Sequence, residues 1–573
     1  MLVYDFEIFM YDWLVVFKDL STSQYKIVIN DVDDLKKYVN DNIDKMFVGY
    51  NNKQFDDIIL SGIFSGIEPY TTMTALMNIE NKYSVYKSLG IKQLPLVSID
   101  LMQDVLGMSL KQAEGYMNLS VDECSIPFDI DRKLTKEEID EVVKYCTHDV
   151  DSTAELLSFR DGYVKAKLDI IKMFKLPITN ISKTNAGLCA TVLDARYQKH
   201  DDELKYDMPD TVVINNPLYR RILDLYNVPE LDYTKTMKIN IAGIDHTLAY
   251  GGIHAAIKNF KYDGEMWHID VRSYYPSLMI RYNYHSRNIK DPQKFIDIYN
   301  NRIKAKKEGN KVVANALKLI VNTTYGCMKS KYSQLYDPKM ANQVCITGQL
   351  LLVDLIEKLE PYCKLVQSNT DGIIVIPYNK DKIREVVKEW ENRTGMSMEI
   401  DVSHKIYQKD VNNYIIQNDN NEIEVKGSYV GQYNSKALRN NVRILDKCVV
   451  KYLLEGIKPE TTIASETDIF AFQYITKSGS SYNSTVWVKN GKDIPVNNVN
   501  RVYSSKCTED GTLVKIKSNN LLERRDSIAN LPDHCIVDNN KELAINDIDK
   551  SWYVEQAYKR INDFLEWEER YRC

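Results

Sequence analysis

The chain has 573 residues, more than one hydrophobic core organises, so two to four domains are expected. Its 44% hydrophobic and 27% charged content is that of an ordinary globular protein. A net charge of −6 excludes a uniformly basic nucleic-acid binder, so any polyanion must be met by a local asymmetry.

Residues 1–60 carry eleven acids and six bases, whereas residues 286–333 carry eleven Lys/Arg against three acids. A basic stripe in an acidic chain is an electrostatic footprint for a polyanion. The ten cysteines form no CxxC pair, so no zinc ribbon or iron–sulfur site is expected, and scattered thiols fit a reducing compartment. The apolar opening is interrupted by Asp5, Glu7 and Asp12 and lacks a basic leader, which reads as neither signal peptide nor membrane span.

In chain order, residues 1–20 alternate like a strand running into a second. Strand and helix signals then alternate to about residue 180, as in one α/β domain. Thr135 followed by Glu138 predicts a capping box at the start of a long helix. Residues 181–260 are mixed and end at Tyr250-Gly251-Gly252. The segment from Trp267 reads as a strand broken at Pro276. Helical stretches at about 291–308 and 311–328, split by Gly309-Asn310, predict an antiparallel helical pair. Residues 364–378 read as a hairpin, and 431–573 hold helical and strand patches without a catalytic-looking cluster.

Two groups of residues carry chemistry. Asp5 and Glu7, two apart on a strand, share a face, and a divalent cation relieves their repulsion. Asn52, Phe55 and Asp56 follow in an NxxFD pattern, and Tyr145 and Asp149 lie at i and i+4 on the long helix. Four acids and a tyrosine can hold two Mg²⁺ or Mn²⁺ ions for hydrolysis of a phosphodiester. Further on, Asp270 ends a strand and is followed by Ser273, Tyr275 and Pro276. Arg302 and Lys306 pair at i, i+4, and Lys318, Asn322 and Tyr325 form one helical stripe. Such cations suit a triphosphate. Asp371 then sits at a hairpin tip.

The first set resembles the three exonuclease motifs of proofreading family B DNA polymerases over roughly residues 1–180. The second resembles motifs A, B and C of the same family. The resemblance implies an α/β multidomain chain: an RNase H-like exonuclease domain (1–185) joined to a right-hand polymerase. The latter comprises a first palm part (186–290), fingers (291–328), a second palm part (329–430), and a thumb and C-terminal region (431–573). It implies two Mg²⁺ per site, Mn²⁺ being possible, held by Asp270 and Asp371 and by Asp5, Glu7, Asp56 and Asp149, with Tyr145 positioning water or phosphate. Lys318, Arg302, Lys306 and Ser273 would bind the dNTP phosphates. Tyr275 would exclude a 2′-hydroxyl, and Asn322 and Tyr325 would line the base-pair pocket. Asn52, Phe55, Tyr250, Gly251, Gly252 and Lys426 would contact primer-template DNA.

Three features depart from the family pattern. Asn369 stands where the first acid of motif C is usual, Tyr274 replaces a leucine, and Tyr250-Gly251-Gly252 lacks the spacer of YxGG. Only 48 positions separate Asp270 from Lys318 and 45 separate Gly326 from Asp371. These intervals resemble compact bacteriophage members without terminal-protein insertions. The expectation is a monomeric proofreading polymerase in the cytoplasm of an infected bacterium, working off the membrane with other phage replication proteins. The alternatives are an exonuclease with a degenerate polymerase site, marked by Asn369, and a non-enzymatic DNA-binding scaffold.

Overall fold

Leu2–Ile8 (β1) buries apolar side chains on both faces and becomes the central strand of a five-stranded sheet. The computed structural model describes residues 1–565 except Leu106, Lys436, Asn440, Asn441, Ser480, Asn520 and Leu521. A turn closed by the Phe9 N–H on the Asp12 carbonyl (2.8 Å) leads into antiparallel Trp13–Asp19 (β2), and Gln24–Ile29 (β3) adds the edge. On the other flank lie parallel Met46–Gly49 (β4) and Val97–Asp100 (β5). Tyr4, Phe6, Phe17 and Phe47 build the core beneath, with Tyr4 and Phe17 stacked at 5.7 Å. The helix Lys136–Phe159 packs on β1 and β2. Its capping box is the expected one: Thr135 Oγ1 accepts from the Glu138 N–H, and Glu138 accepts from the Thr135 N–H.

The described chain is a mixed α/β structure of two compact units. The first combines Met1–Thr184 with Thr467–Lys550, and the second is built mainly from Asn185–Ala437 with two later helical segments. Residues 431–573, expected as one C-terminal region, contribute to both units. Arg501, fully buried, donates to Gln473 Oε1 (2.8 Å) and to the Leu119 carbonyl, and the Val121 N–H reaches the Asn539 carbonyl at 3.0 Å. A buried guanidinium needs such acceptors, and one of them, the Leu119 carbonyl, lies in the segment before residue 184. The strands of 474–537 form a three-stranded and a four-stranded sheet.

The second unit holds a nine-stranded antiparallel sheet. Its strands are Met237–Ile241 (β6), Ile244–Leu248 (β7), His254–Ala256 (β8), Phe260–Val271 (β9), Cys363–Asn369 (β10), Gly372–Pro377 (β11), Met398–Asp410 (β12), Asn413–Asn418 (β13) and Ile423–Lys426 (β14). They run in the order β14-β13-β12-β9-β11-β10-β8-β7-β6, so β9 and β11 are neighbours near its middle. The helical pair forms over Pro292–Lys307 and Lys311–Cys327, with Asn310 capping the second helix. Pro276 does not break a strand: β9 stops at Val271, and Pro276 lies in the first turn of helix Tyr274–Arg281. Ser273, in the left-handed region (φ 50°), ends the extended run, and proline is tolerated in a first turn because its missing N–H has no partner there. Among the described residues no helix is long and apolar enough to cross a membrane.

Candidate active sites

In the first unit, Asp5 and Glu7 leave the same face of β1, Asp56 opens the helix Asp56–Phe64, and Asp149 lies in the helix Lys136–Phe159. Asp5 and Glu7 each feel both Asp56 and Asp149. Burial pushes the Asp5 carboxyl well up, reinforced by Asp56, Glu7 and Asp149. Burial also raises Glu7, with Asp149 adding to it. Asp56 is pushed up to about 8 by burial, although it accepts the Phe6 N–H at 3.0 Å. Asp149 rises to about 6, burial being opposed by Lys111. Buried carboxyls raised together form a donor set that a divalent cation would relieve, so the residues fit the expected metal.

Tyr145 joins this group. Burial and Asp149 hold its hydroxyl far above the usual phenol range, so it stays protonated and can donate. Two expected residues play a different part. Asn52 is fully buried, its amide donating to Ser98 Oγ (2.7 Å) and Asp57 Oδ1 (3.2 Å). Phe55 packs against the core. For Asn52 this corrects the expectation of DNA contact: the side chain supports the turn that carries Asp56. The adjacent acids divide the work, since Asp57 is satisfied by Tyr4, Asn52, Ser98 and Lys53 (2.8 Å), leaving Asp56 to the cluster.

Lys111 was not foreseen. Its ammonium contacts Asp149, lies 3.2 Å from Glu114 and sits 4.5 Å from the centre of the Tyr145 ring. It is 38 residues from Asp149, so no local spacing marks it. Cys146 also enters the cluster.

In the second unit, Asp270 is paired across the sheet with Gly372, and the Val271 N–H donates to the Asp371 carbonyl at 2.9 Å. This seats the β10–β11 turn beside the end of β9. Gly372 leaves room for the carboxylate: a Cβ there would fall 1.6 Å from Asp270 Oδ1 and would have to displace it. Burial and Asp371 raise Asp270 to about 7, with Asp401, Glu424 and Glu399 adding to it. Asp371 is raised by its desolvated surroundings and restrained by Lys426 and His254. These carboxyls also fit a divalent cation. Glu399 and Asp401 were missed, although their i, i+2 spacing on β12 places them on one face, with Glu399 opposite Asp270.

Asn369 does not stand idle. Its Oδ1 lies 3.1 Å from His254 Nδ1, a bond that puts the imidazole proton on Nδ1. The Thr370 N–H donates to the Ile253 carbonyl (2.9 Å), and Gly252 has no room for a Cβ, which would meet Thr370 Oγ1 at 2.7 Å. The spacer-less Tyr250-Gly251-Gly252 segment is thereby fastened to the Asp371 turn. The Tyr250 carbonyl accepts from Lys329 (2.7 Å) and the Gly251 carbonyl from Gln349 (2.8 Å).

Arg302 donates to Ser273 Oγ at 2.9 Å, joining the helical pair to the end of β9. Tyr275 and Tyr325 stack at 4.1 Å. Lys306, Lys318 and Asn322 are exposed, the latter two on the same helix as Tyr325. Lys426 is exposed on β14 opposite Tyr414, its ammonium 5.7 Å from that ring's centre.

No family model matches the chain. Segments of it are similar to curated DNA polymerases. DNA polymerase 1 of Sulfolobus acidocaldarius is 28% identical over 95 residues, 16% of this chain and 11% of that protein. The DNA polymerase alpha catalytic subunit of Leishmania donovani is 33% identical over 96 residues, 15% of this chain and 7% of that protein. DNA polymerase II of Escherichia coli is 31% identical over 61 residues, 11% of this chain and 8% of that protein. The chain therefore spans about a tenth of the length of the curated relatives it matches. Among solved structures, a family B DNA polymerase from Pyrobaculum calidifontis aligns over 99% of this chain and 78% of its own, at 12% identity and a TM-score of 0.42.

Proposed function

We propose that this chain is a family B DNA polymerase of bacteriophage type that extends a primer 3′-OH with dNTPs and edits it with a 3′–5′ exonuclease. The observation that carries the reading is the pairing of β9 with β11. It sets Asp270 beside the Asp371 turn, while Arg302 reaches Ser273 and Tyr325 stacks on Tyr275. The similarity of segments to named DNA polymerases supports it.

In this reading Asp270 and Asp371 hold two Mg²⁺ ions, with Mn²⁺ as a substitute, which would neutralise charge on the triphosphate and leaving group. Arg302, Lys306 and Lys318 bind the phosphates, and Ser273 orients Arg302. Tyr275 lies under the sugar, held flat by Tyr325, and excludes a 2′-hydroxyl. Lys426 and the Tyr250-Gly251-Gly252 segment contact the primer strand. The sheet with Asp5 and Glu7 on its central strand supports an RNase H-like exonuclease, in which Asp5, Glu7, Asp56 and Asp149 bind metal. Tyr145 and Lys111 each donate toward phosphate or water there. The helical pair would be the fingers and the nine-stranded sheet the palm of a monomer acting on primer-template DNA in the host cytoplasm.

A second reading keeps only the exonuclease, because Asn369 replaces an acid. The His254 bond to Asn369 favours the first, since it keeps the Asp371 turn formed. A labelled primer-template with Mg²⁺, with and without dNTPs, tests both. Extension with dNTPs and shortening without them are expected. Absence of extension refutes the polymerase, and absence of shortening refutes the exonuclease.

A further inference from the structure

The exonuclease cluster contains a ligand that Mg²⁺ has no use for. Asp5, Glu7 and Cys146 each bring a ligand atom to within 4.8 Å of the others. Cys146 is fully buried, and its thiol points at the Asp5 main-chain carbonyl (3.3 Å) and at Asp5 Oδ2 (3.8 Å). Glu7 is 6% exposed and accepts no hydrogen bond among the described residues, so a buried carboxylate faces the cluster unpartnered. In a tetrahedral zinc site, Zn–S of about 2.3 Å and Zn–O of about 2.1 Å put sulfur and oxygen about 3.6 Å apart. The Cys146–Asp5 separation is close to that value.

We propose that Asp5, Glu7 and Cys146 form a binding site for a thiophilic divalent cation, Zn²⁺ or its analogue Cd²⁺, with water as a fourth ligand. Two carboxylates and a thiolate make a mixed donor set that ranks Zn²⁺ far above Mg²⁺, which prefers six oxygens. The thiol loses its proton to solvent as the metal–sulfur bond forms. The neighbouring group of Glu114, His148 and Asp149 offers no thiol and so does not select a thiophilic cation. Zn²⁺ bound through Asp5 and Glu7 takes two carboxylates from the Mg²⁺ centre and so slows hydrolysis. Only this consequence rests on the exonuclease reading.

The test is titration of the full-length, metal-free chain with Cd²⁺, followed by thiolate-to-cadmium charge-transfer absorption in the ultraviolet, with competition by Zn²⁺. One tight equivalent with the absorption band is expected. Cys146→Ser should remove the band and weaken Zn²⁺ binding by on the order of 100-fold, whereas Cys507→Ser, at an exposed thiol, should leave both intact. Glu7→Gln should weaken binding while keeping the thiol, and it decides the matter if Cys146→Ser does not fold. A full band and unchanged Zn²⁺ affinity in either variant overturns the site. In the nuclease assay, low Zn²⁺ should inhibit the parent in Mg²⁺ but spare Cys146→Ser. If the parent never hydrolyses DNA, the exonuclease reading fails while the Cd²⁺ band still decides the metal site.

Discussion

Gly372→Ala probes the proposed polymerase centre through one methyl group. The new Cβ would lie 1.6 Å from Asp270 Oδ1, 2.7 Å from its Cγ and 3.0 Å from the Ile269 carbonyl oxygen. The backbone on that side is pinned by the β9–β11 pairing, so the carboxylate must yield, by about 2 Å before ordinary van der Waals contact returns. A displacement of about 1 Å in a positioning group can lower a rate 10²-fold, so a fall in the Mg²⁺-dependent incorporation rate of on the order of 10²-fold or more is expected. The repacking should lower stability by only ~1–3 kcal/mol, leaving the fold and the Asp5–Glu7 cluster intact. Gly326→Ala, where a Cβ meets nothing within 4 Å, is the matched control. The assay is single-turnover extension of a primer-template, with thermal unfolding beside it. Incorporation by a folded Gly372→Ala protein at the parent rate would refute the claim that Asp270 acts from this position.

Other perturbations have equally definite outcomes. Lys111→Gln takes the cation from Asp149 and Glu114, so exonuclease rate should drop by about 10²-fold with extension unchanged; a parent-like exonuclease would remove Lys111 from the site. Tyr275→Ala should reduce discrimination against ribonucleotides by about 100-fold, measured as the ratio of rNTP to dNTP kcat/KM; an unchanged ratio would place sugar selection elsewhere. For pH, Asp56 at about 8, Asp270 at about 7 and Asp149 at about 6 all lie above an unfolded carboxyl at ~3.9, so the folded chain holds these protons more tightly. Their stabilisation is complete below about pH 4 and is lost as pH climbs through about 6 to 8. The Tm of the metal-free chain should therefore fall over that range, and Mg²⁺ should restore more of it at about pH 8 than at about pH 6; a Tm that rises with pH would contradict the buried, unneutralised clusters.

Local pattern alone determined a good deal. The two-residue period of Leu2–Ile8 put Asp5 and Glu7 on one face, the Thr135/Glu138 pair marked the start of the long helix, and Gly309-Asn310 split the helical pair. Each is a property of a few consecutive residues, because side-chain direction and capping follow from backbone geometry within a turn or two. The motif spacings brought out Asp56, Asp149, Asp270 and Asp371 for the same reason. Only the tertiary structure decided which groups stand beside them. Lys111 meets Asp149 across 38 positions, His254 meets Asn369 across 115, and Arg501 meets Leu119 across 382. Those contacts depend on strand order and on the need of buried charges for partners, neither of which leaves a periodic trace in the chain. The residues around Asp270 show both sides: Asp371 stood out in the sequence at a hairpin tip, but that the next residue leaves room for the Asp270 carboxylate follows only from Asp270 Oδ1 occupying the space where a Cβ of Gly372 would be.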